Sequence, residues 1–486
     1  MKQAGLLSAL MLTTTLNLVP WLAHANPLNL PALGDTTSGI ISQQEEYELG
    51  RSWLKILRNQ TPMVADPELK HYLESLTHRL SAASQLSDHR LIPLVIDSTV
   101  LNAFAAPGGI VGVNTGLFLH AETEPQFAAV LAHELAHLSQ RHYARNVEEA
   151  RNQSIPTAAA LLGSILIMAT AGGDAGAAAL TSTVAGMQSA QLRFSRQFER
   201  EADNLGISTL ANAGFDPQAM PAIFEQMNKA SRYGSRPPEF LLTHPVTENR
   251  ISDSRARADQ MSARKTVTNV GSLNYQLMRM RAAYISSNNI HEMARQLSKE
   301  VTVAADNAPV ASRYGLALAS LKARDFNTAE QQTNWLLQHY PDNPHMVLLK
   351  VQLESETGKG TQALERINQL LSINPGSYPL QAAKAEVFLK QQNYTEARNT
   401  LLNLSRSRPE DPDIWFELAE VQGLAEDIIG LHQSRAEYFF LNGNMDDAIK
   451  HLQYAMKMAE DNFALKSKLQ QKLSNIRDYR QKLKNS

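Results

Sequence analysis

The C-terminal part of the chain repeats itself, and that periodicity leaves the fold little freedom. Pro341, Pro375 and Pro409 stand 34 residues apart, and so do Ala329, Ala363 and Ala397. Large side chains keep the same phase at Phe326 and Tyr394. A unit of this length is one supersecondary element that cannot bury its apolar face alone, so neighbours must stack into a continuous core. The alanines suit close crossings between helices. The prolines mark unit ends, because proline cannot continue a helix. After an extra 17 residues the phase returns in Asn442-Gly443-Asn444 and Asp447-Ala448. The segment from residue 270 onward reads as four or more helical hairpins, the outermost degenerate and capping.

Upstream, Ala132 to His137 contains H-E-x-x-H. On a helix, His133 and His137 share a face one turn apart, so both imidazoles can reach one metal ion. Glu134 is rotated by one residue, where its carboxylate can take a proton from water at that ion. The flank Phe127 to Leu131 is apolar, with Thr123 as N-cap and Pro125 in the first turn. A second helical constellation runs from Phe198 to Asp203, with Glu199 and Asp203 four residues apart on one face. A catalytic zinc takes three protein ligands and keeps one position open. Glu199 would be the third ligand, and Asp203 would hold the second ring nitrogen of a liganding histidine. Glu201 points about 200° away from Glu199 on the same helix. The donor set suits one zinc per chain, although spacing alone does not fix the metal. His142 follows His137 by five residues, which turns it off the metal face as a solvated or locally bonded histidine. His120 and His89 fall in no ligand spacing.

The pairing of H-E-x-x-H with a later E-x-x-A-D resembles the gluzincin metallopeptidase family, which includes the CAAX prenyl protease and the bacterial heat-shock membrane protease. Asn102 to Gly109 is similar to that family's N-A-F-x-x-P-G-G signature. His244-Pro245 with Arg250-Ile251 is similar to its H-P-x-x-x-x-R-I segment. The resemblance implies zinc-dependent peptide hydrolysis. It also implies an edge strand near the metal helix, placed here on Asn102, Ala103 and Phe104, that takes substrate by strand addition; an ordinary core hairpin is the other reading. His244 then has two candidate roles. It stabilises the oxyanion with Arg250 as helper, or it is a fourth metal ligand that displaces the catalytic water. Arg250 and Asp203 would stand behind the ligands. The repeat half resembles the tetratricopeptide pattern.

Composition narrows the setting. A net charge of −2 gives no electrostatic case for nucleic acid. Cysteine is absent, which excludes disulfides, thiol catalysis and a lipidated N-terminal cysteine. Met1 to Ala25 reads as a signal peptide, with Lys2, an apolar run and Ala23-His24-Ala25 as cleavage site. Two amphipathic helices are expected over Gln43–Arg58 and Asp66–Ala82, and strands over Leu91–Ile96 and Ile110–Asn114. Residues 155–190 hold two apolar, Ala-rich stretches. The first contains Pro156 and is shorter than the roughly twenty residues of a span, so they read as core and lid helices, with membrane contact as the alternative. Ala258 to Asn274 reads as a polar linker or boundary helix.

The chain is thus expected to be a signal peptide (1–25), a mostly helical α+β zinc metallopeptidase domain (26–265) and an all-α tetratricopeptide-type solenoid (266–486). This combination resembles periplasmic proteases that assist outer-membrane β-barrel assembly. It implies unfolded or stalled outer-membrane proteins as substrates, the barrel assembly machinery as partner of the repeats, and at most peripheral membrane association. A general periplasmic housekeeping peptidase and a mainly non-proteolytic scaffold are the alternatives.

Overall fold

The computed structural model of the 486-residue chain describes residues 41–152, 196–233, 238–262 and 272–485. The expected signal peptide and the stretches over 155–190 lie outside the described residues. Helix α1 (Gln43–Gln60) opens on a reciprocal capping box between Ser42 and Glu45, and α2 (Pro67–Ala82) opens on the Asp66 cap. Strands β1 (Ile92–Ile96), β2 (Ala103–Ala106) and β3 (Ile110–Asn114) form one sheet in the order β1-β3-β2. β1 runs parallel to β3 and β2 antiparallel to it. The β2–β3 turn uses Gly108 and Gly109 at φ +77° and +76°, a region where a side chain would strain the backbone.

Trp53, Leu54 and Leu57 of α1 cover one face of this sheet, against Phe104, Ala106 and Ile110. The other face meets α4 (Glu124–Ser139), which follows the short α3 (Thr115–His120). With both faces covered, β3 is buried at every position. The rest of the catalytic half is α5 (His142–Asn152), α6 (Arg196–Asn212), α7 (Ala219–Tyr233), the one-turn α8 (Phe240–Thr243) and α9 (Glu248–Ser262). Among the described residues no helix is long and apolar enough to cross a membrane.

Then come α10 (Leu273–Ile285) and α11 (Ile290–Ala304). Three hairpins follow: α12 (Val310–Lys322) with α13 (Phe326–His339), α14 (Pro344–Glu356) with α15 (Gly360–Ile373), and α16 (Tyr378–Lys390) with α17 (Tyr394–Ser407). Ala329, Ala363 and Ala397 occupy equivalent places in the second helices, all fully buried. The chain ends in α18 (Pro412–Leu424), α19 (Ile428–Leu441), α20 (Met445–Met458) and α21 (Phe463–Asn485). The half-repeat offset in the sequence is thereby explained. Ala448 of α20 holds the place that Ala397 holds in α17, and one extra helix with its turn stands between the two hairpins.

The first residues of the expected linker or boundary helix, Ala258 to Ser262, belong to α9. Ala258 lies on the face of α9 that carries Ile251 and Ser254, and all three are buried. The two halves share a core. Tyr275 of α10 is fully buried beside Phe118 and Phe127, and its hydroxyl donates to Ala121 O at 2.7 Å. Ion pairs extend the contact, with Arg281 on Asp66 at 2.7 Å and Glu68 at 2.8 Å, and Lys70 on Asp411 at 2.7 Å. At the end of the chain, Tyr479 of α21 donates to Ser52 of α1 at 2.8 Å.

Candidate metal centre

The H-E-x-x-H turn lies deep in α4, where every residue from Phe127 to His137 is buried. Thr123 caps the helix and Pro125 stands in its first turn, as the sequence predicts. α6 crosses α4 closely because Gly206 has no side chain. A Cβ there would come within 3.2 Å of His133 N. Glu199 and Asp203 lie two turns and one turn before Gly206 on the same face, so the close crossing aims both acids at the histidines.

Four side chains converge: His133, His137, Glu199 and His244, all buried, with ligand atoms within 4.8 Å of one another. His133 Nε2 is 3.1 Å from His137 Nε2 and 3.6 Å from Glu199 Oε2. His137 Nε2 is 3.5 Å from Glu199 Oε1. His244 Nδ1 stands 3.3 Å from His133 Nε2 and 2.9 Å from Glu199 Oε1. Bonds of about 2.0–2.1 Å to a tetrahedral ion put ligand atoms about 3.4 Å apart, which these separations bracket. Glu134 Oε1 is buried, accepts no hydrogen bond, and has His244 Nε2 at 3.6 Å. The donor types and the orphaned oxygen fit a divalent metal with water beside it.

The electrostatics favour a neutral His137 ring and a charged Glu199 carboxylate. Burial, with His133 and His142 nearby, holds the His137 pKa well below the usual imidazole value. Burial pushes Glu199 up, but His244 and Arg250 outweigh it and bring the carboxyl below its ordinary value. Burial raises Glu134 to about 7, the range of a working general base.

Behind the ligands stand two chains of side chains. His133 Nδ1 is 3.0 Å from Asp203 Oδ1, and Arg250 grips both Asp203 oxygens at 2.7 Å. The same guanidinium reaches Glu199 Oε2 and Pro245 O, each at 2.8 Å. These partners place Arg250 behind the ligands, where it holds the two acids. They also tie both acids of α6 to the residue that follows His244.

The second chain was not legible in the spacing. His142 is fully buried, with Nδ1 2.8 Å from His137 Nδ1 and Nε2 3.3 Å from Glu201 Oε2. Arg145 pairs with Glu201 at 2.9 Å, and Phe198 stacks on the His142 ring at 4.4 Å. The five-residue separation turns His142 off the metal face only if the helix continues. It does not. α4 stops at Ser139, and Arg141 takes a left-handed φ of +49°, which folds His142 back onto His137. Burial brings the His142 pKa down to about 4, so its Nδ1 can accept the His137 proton. Glu201 faces away from the ligand atoms, as its helical phase requires, and orients His142 from behind. His120 and His89 take no part in the cluster.

The expected substrate strand is β2, an edge of the sheet. Asn102 O accepts from Asn114 N at 3.1 Å, and the Phe104 ring packs edge-on against Trp53. Alternation then leaves the backbone groups of Ala103 and Ala105 on the open side. The Ala105 backbone N–H stands near the Glu134 carboxylate and acts to lower its pKa. The strand edge and the candidate base therefore face the same space.

Residues 67–258 match peptidase family M48, and residues 354–419 match the tetratricopeptide repeat family. A relative from Vibrio cholerae is 34% identical over 91% of this chain and 91% of its own length. The beta-barrel assembly-enhancing protease of Escherichia coli is 31% identical over 94% of this chain and 92% of its own length. A mitochondrial metalloendopeptidase of Schizosaccharomyces pombe is 34% identical over 37% of this chain and half of its own length.

Proposed function

Because the chain belongs to peptidase family M48, we propose that it is a zinc-dependent endopeptidase of the periplasm. We infer that its substrates are outer-membrane β-barrel proteins in assembly, recruited by the repeats with the barrel assembly machinery as partner. The observation that carries the enzymatic reading is the buried quartet His133, His137, Glu199 and His244 with Glu134 beside it. The substrate class rests on near full-length similarity to barrel assembly-enhancing proteases.

His133, His137 and Glu199 would hold the ion. When bound, zinc lowers the pKa of a water and polarises the scissile carbonyl. Glu134 takes the proton of the attacking water and returns it to the leaving amine. Ala103 and Ala105 pair with the substrate backbone and fix the peptide across the site. Asp203 and His142 keep the two histidines in the tautomer that points Nε2 at the ion. His244, already among the ligand atoms at 2.9 Å from Glu199, acts as a removable fourth ligand that keeps the peptidase latent. Arg250 holds Glu199 and Asp203 independently of His244, so the acids stay in place when the ring leaves.

The test is Glu134→Gln in the full chain. Glutamine is nearly isosteric and cannot take the proton, so metal content should stay at one ion while casein hydrolysis stops. Unfolded barrel proteins should then co-purify with the inactive protein. Hydrolysis at the original rate would sink the assignment of the base, and an empty site would sink its separation from the ligands.

A further inference from the structure

Between α1 and the last repeats lies a cavity of about 310 Å³ that the peptidase chemistry does not use. Four cations line it (Arg51, Lys55, Arg58 and Lys472) against two carboxylates, Glu410 and Glu437. The carboxylates are already engaged. Glu410 pairs with Arg51 at 2.9 Å, and Glu437 with Lys472 at 2.8 Å. Arg58 is bound to main-chain oxygens, with Glu410 O at 3.0 Å and Leu441 O at 3.5 Å. Asp411 and Asp413, which also act on Arg58, are held by Lys70 at 2.7 and 3.0 Å.

Lys55 is the unusual member. Its side chain is only 9% exposed, and its ammonium makes one long hydrogen bond, to Arg51 O at 3.4 Å. Its other neighbours are the faces of Phe440 and Tyr479, at 4.7 and 4.9 Å. Burial and the nearby Arg58 bring its pKa down to about 8. A buried ammonium among three other cations, with donors to spare, is a charge waiting for an anion. The remaining wall is apolar, built from Leu54, Trp415 and Leu441.

We propose that this cavity binds the chain-terminal carboxylate of a peptide with an apolar last residue. The carboxylate lies on Lys55 and its neighbouring cations, and the side chain lies against Trp415 and Phe440. The volume suits one or two residues and is at the lower end for small-ligand sites. A free carboxylate with one apolar side chain matches the cation cluster beside the apolar wall of a cavity this small. Each hydrolysed peptide bond also creates such a terminus. The inference rests on the peptidase reading only for that source. Arg51 links the cavity to the catalytic half, since its guanidinium also donates to Gly108 O in the β2–β3 turn.

The experiment is calorimetric titration of the full-length chain with N-acetyl-Ala-Ala-Phe as free acid and as amide, with inorganic phosphate as a third probe. The acid should bind, and the amide should bind at least tenfold more weakly. Lys55→Met should weaken the acid about tenfold, the loss expected for one charged hydrogen bond, and leave casein hydrolysis unchanged. Lys472→Ala, at the more open side of the cavity, provides a second variant and should weaken the acid several-fold. Equal affinity for acid and amide, or no binding of either, overturns the site. Binding of phosphate but not of the peptide acid overturns the peptide assignment. A chain that binds the acid and hydrolyses nothing would refute the peptidase reading alone, and a chain that cleaves casein but ignores the acid would refute this one.

Discussion

His142 provides the sharpest test of how the metal centre is held. The metal needs His137 Nε2 free, so the ring proton sits on Nδ1, 2.8 Å from His142 Nδ1. His142 then carries its own proton on Nε2, facing Glu201 at 3.3 Å. His142→Phe keeps the ring against Phe198, now stacked at 4.4 Å, but removes the acceptor. A buried donor left without a partner costs about 1–3 kcal/mol, and second-sphere partners of ligands are typically worth about 10–100-fold in metal affinity. We expect His142→Phe to weaken zinc binding by about 10–100-fold, with little change in the thermal stability of the zinc-free chain. His142→Gln, which restores an acceptor, should recover much of the loss. Glu201→Ala should cost only a few-fold, because Glu201 is 24% exposed and water can replace it behind His142. The assay is competition for zinc against a chromophoric chelator. Unchanged zinc affinity in His142→Phe, or an equal loss in Phe and Gln variants, would refute the proton relay.

Three further outcomes follow from the same structure. His244→Ala should raise casein hydrolysis and self-cleavage with zinc retained; a fall of about a hundredfold would return His244 to the oxyanion role. Lys55→Met should raise the melting temperature at pH 7. The Lys55 pKa is about 8 in the folded chain and 10.5 unfolded, so the unfolded chain binds more protons between those values and native stability rises with pH across that window. The variant's advantage, roughly 1–2 kcal/mol once the two ring contacts offset part of the desolvation, should disappear by pH 10.5, and a gap independent of pH would contradict the shift. Finally, residues 266–486 alone should aggregate because Tyr275, Leu277 and Met278 lose the core that buries them; a soluble monomeric fragment would show that α10 belongs to the solenoid.

How far this could be read from the sequence depended on whether a helix continued. The repeats were legible because one geometry recurs. Helices α12, α14, α16 and α18 begin 34 residues apart, and Ala329, Ala363 and Ala397 are buried at equivalent positions. The ligands in α4 and α6 were legible for the same reason, since His133 to His137 and Glu199 to Asp203 each span one helical turn. What the sequence concealed lies where helical phase is broken. One left-handed residue, Arg141, settles whether His142 is solvated or locally bonded, by folding it onto the back of His137. The open edge of β2 was concealed differently. Strand alternation was evident, but its register with β3 decides whether Ala103 and Ala105 or Asn102 and Phe104 face the substrate space.

The boundary between the halves was concealed by composition. Polarity across Ala258 to Asn274 suggested a linker, yet Ala258 and Tyr275 on either side of it are both fully buried. Charged residues obscured this further, because here they join rather than separate. Arg281, Lys70 and Arg51 each find carboxylates on the other half of the chain. The Arg281 and Lys70 pairs are largely buried and expensive to break, because removing one partner leaves an uncompensated charge. The solenoid is therefore built into the catalytic half rather than tethered to it. A ligand that altered its last helices would act on α1 and, through Arg51, on the turn that ends the substrate strand.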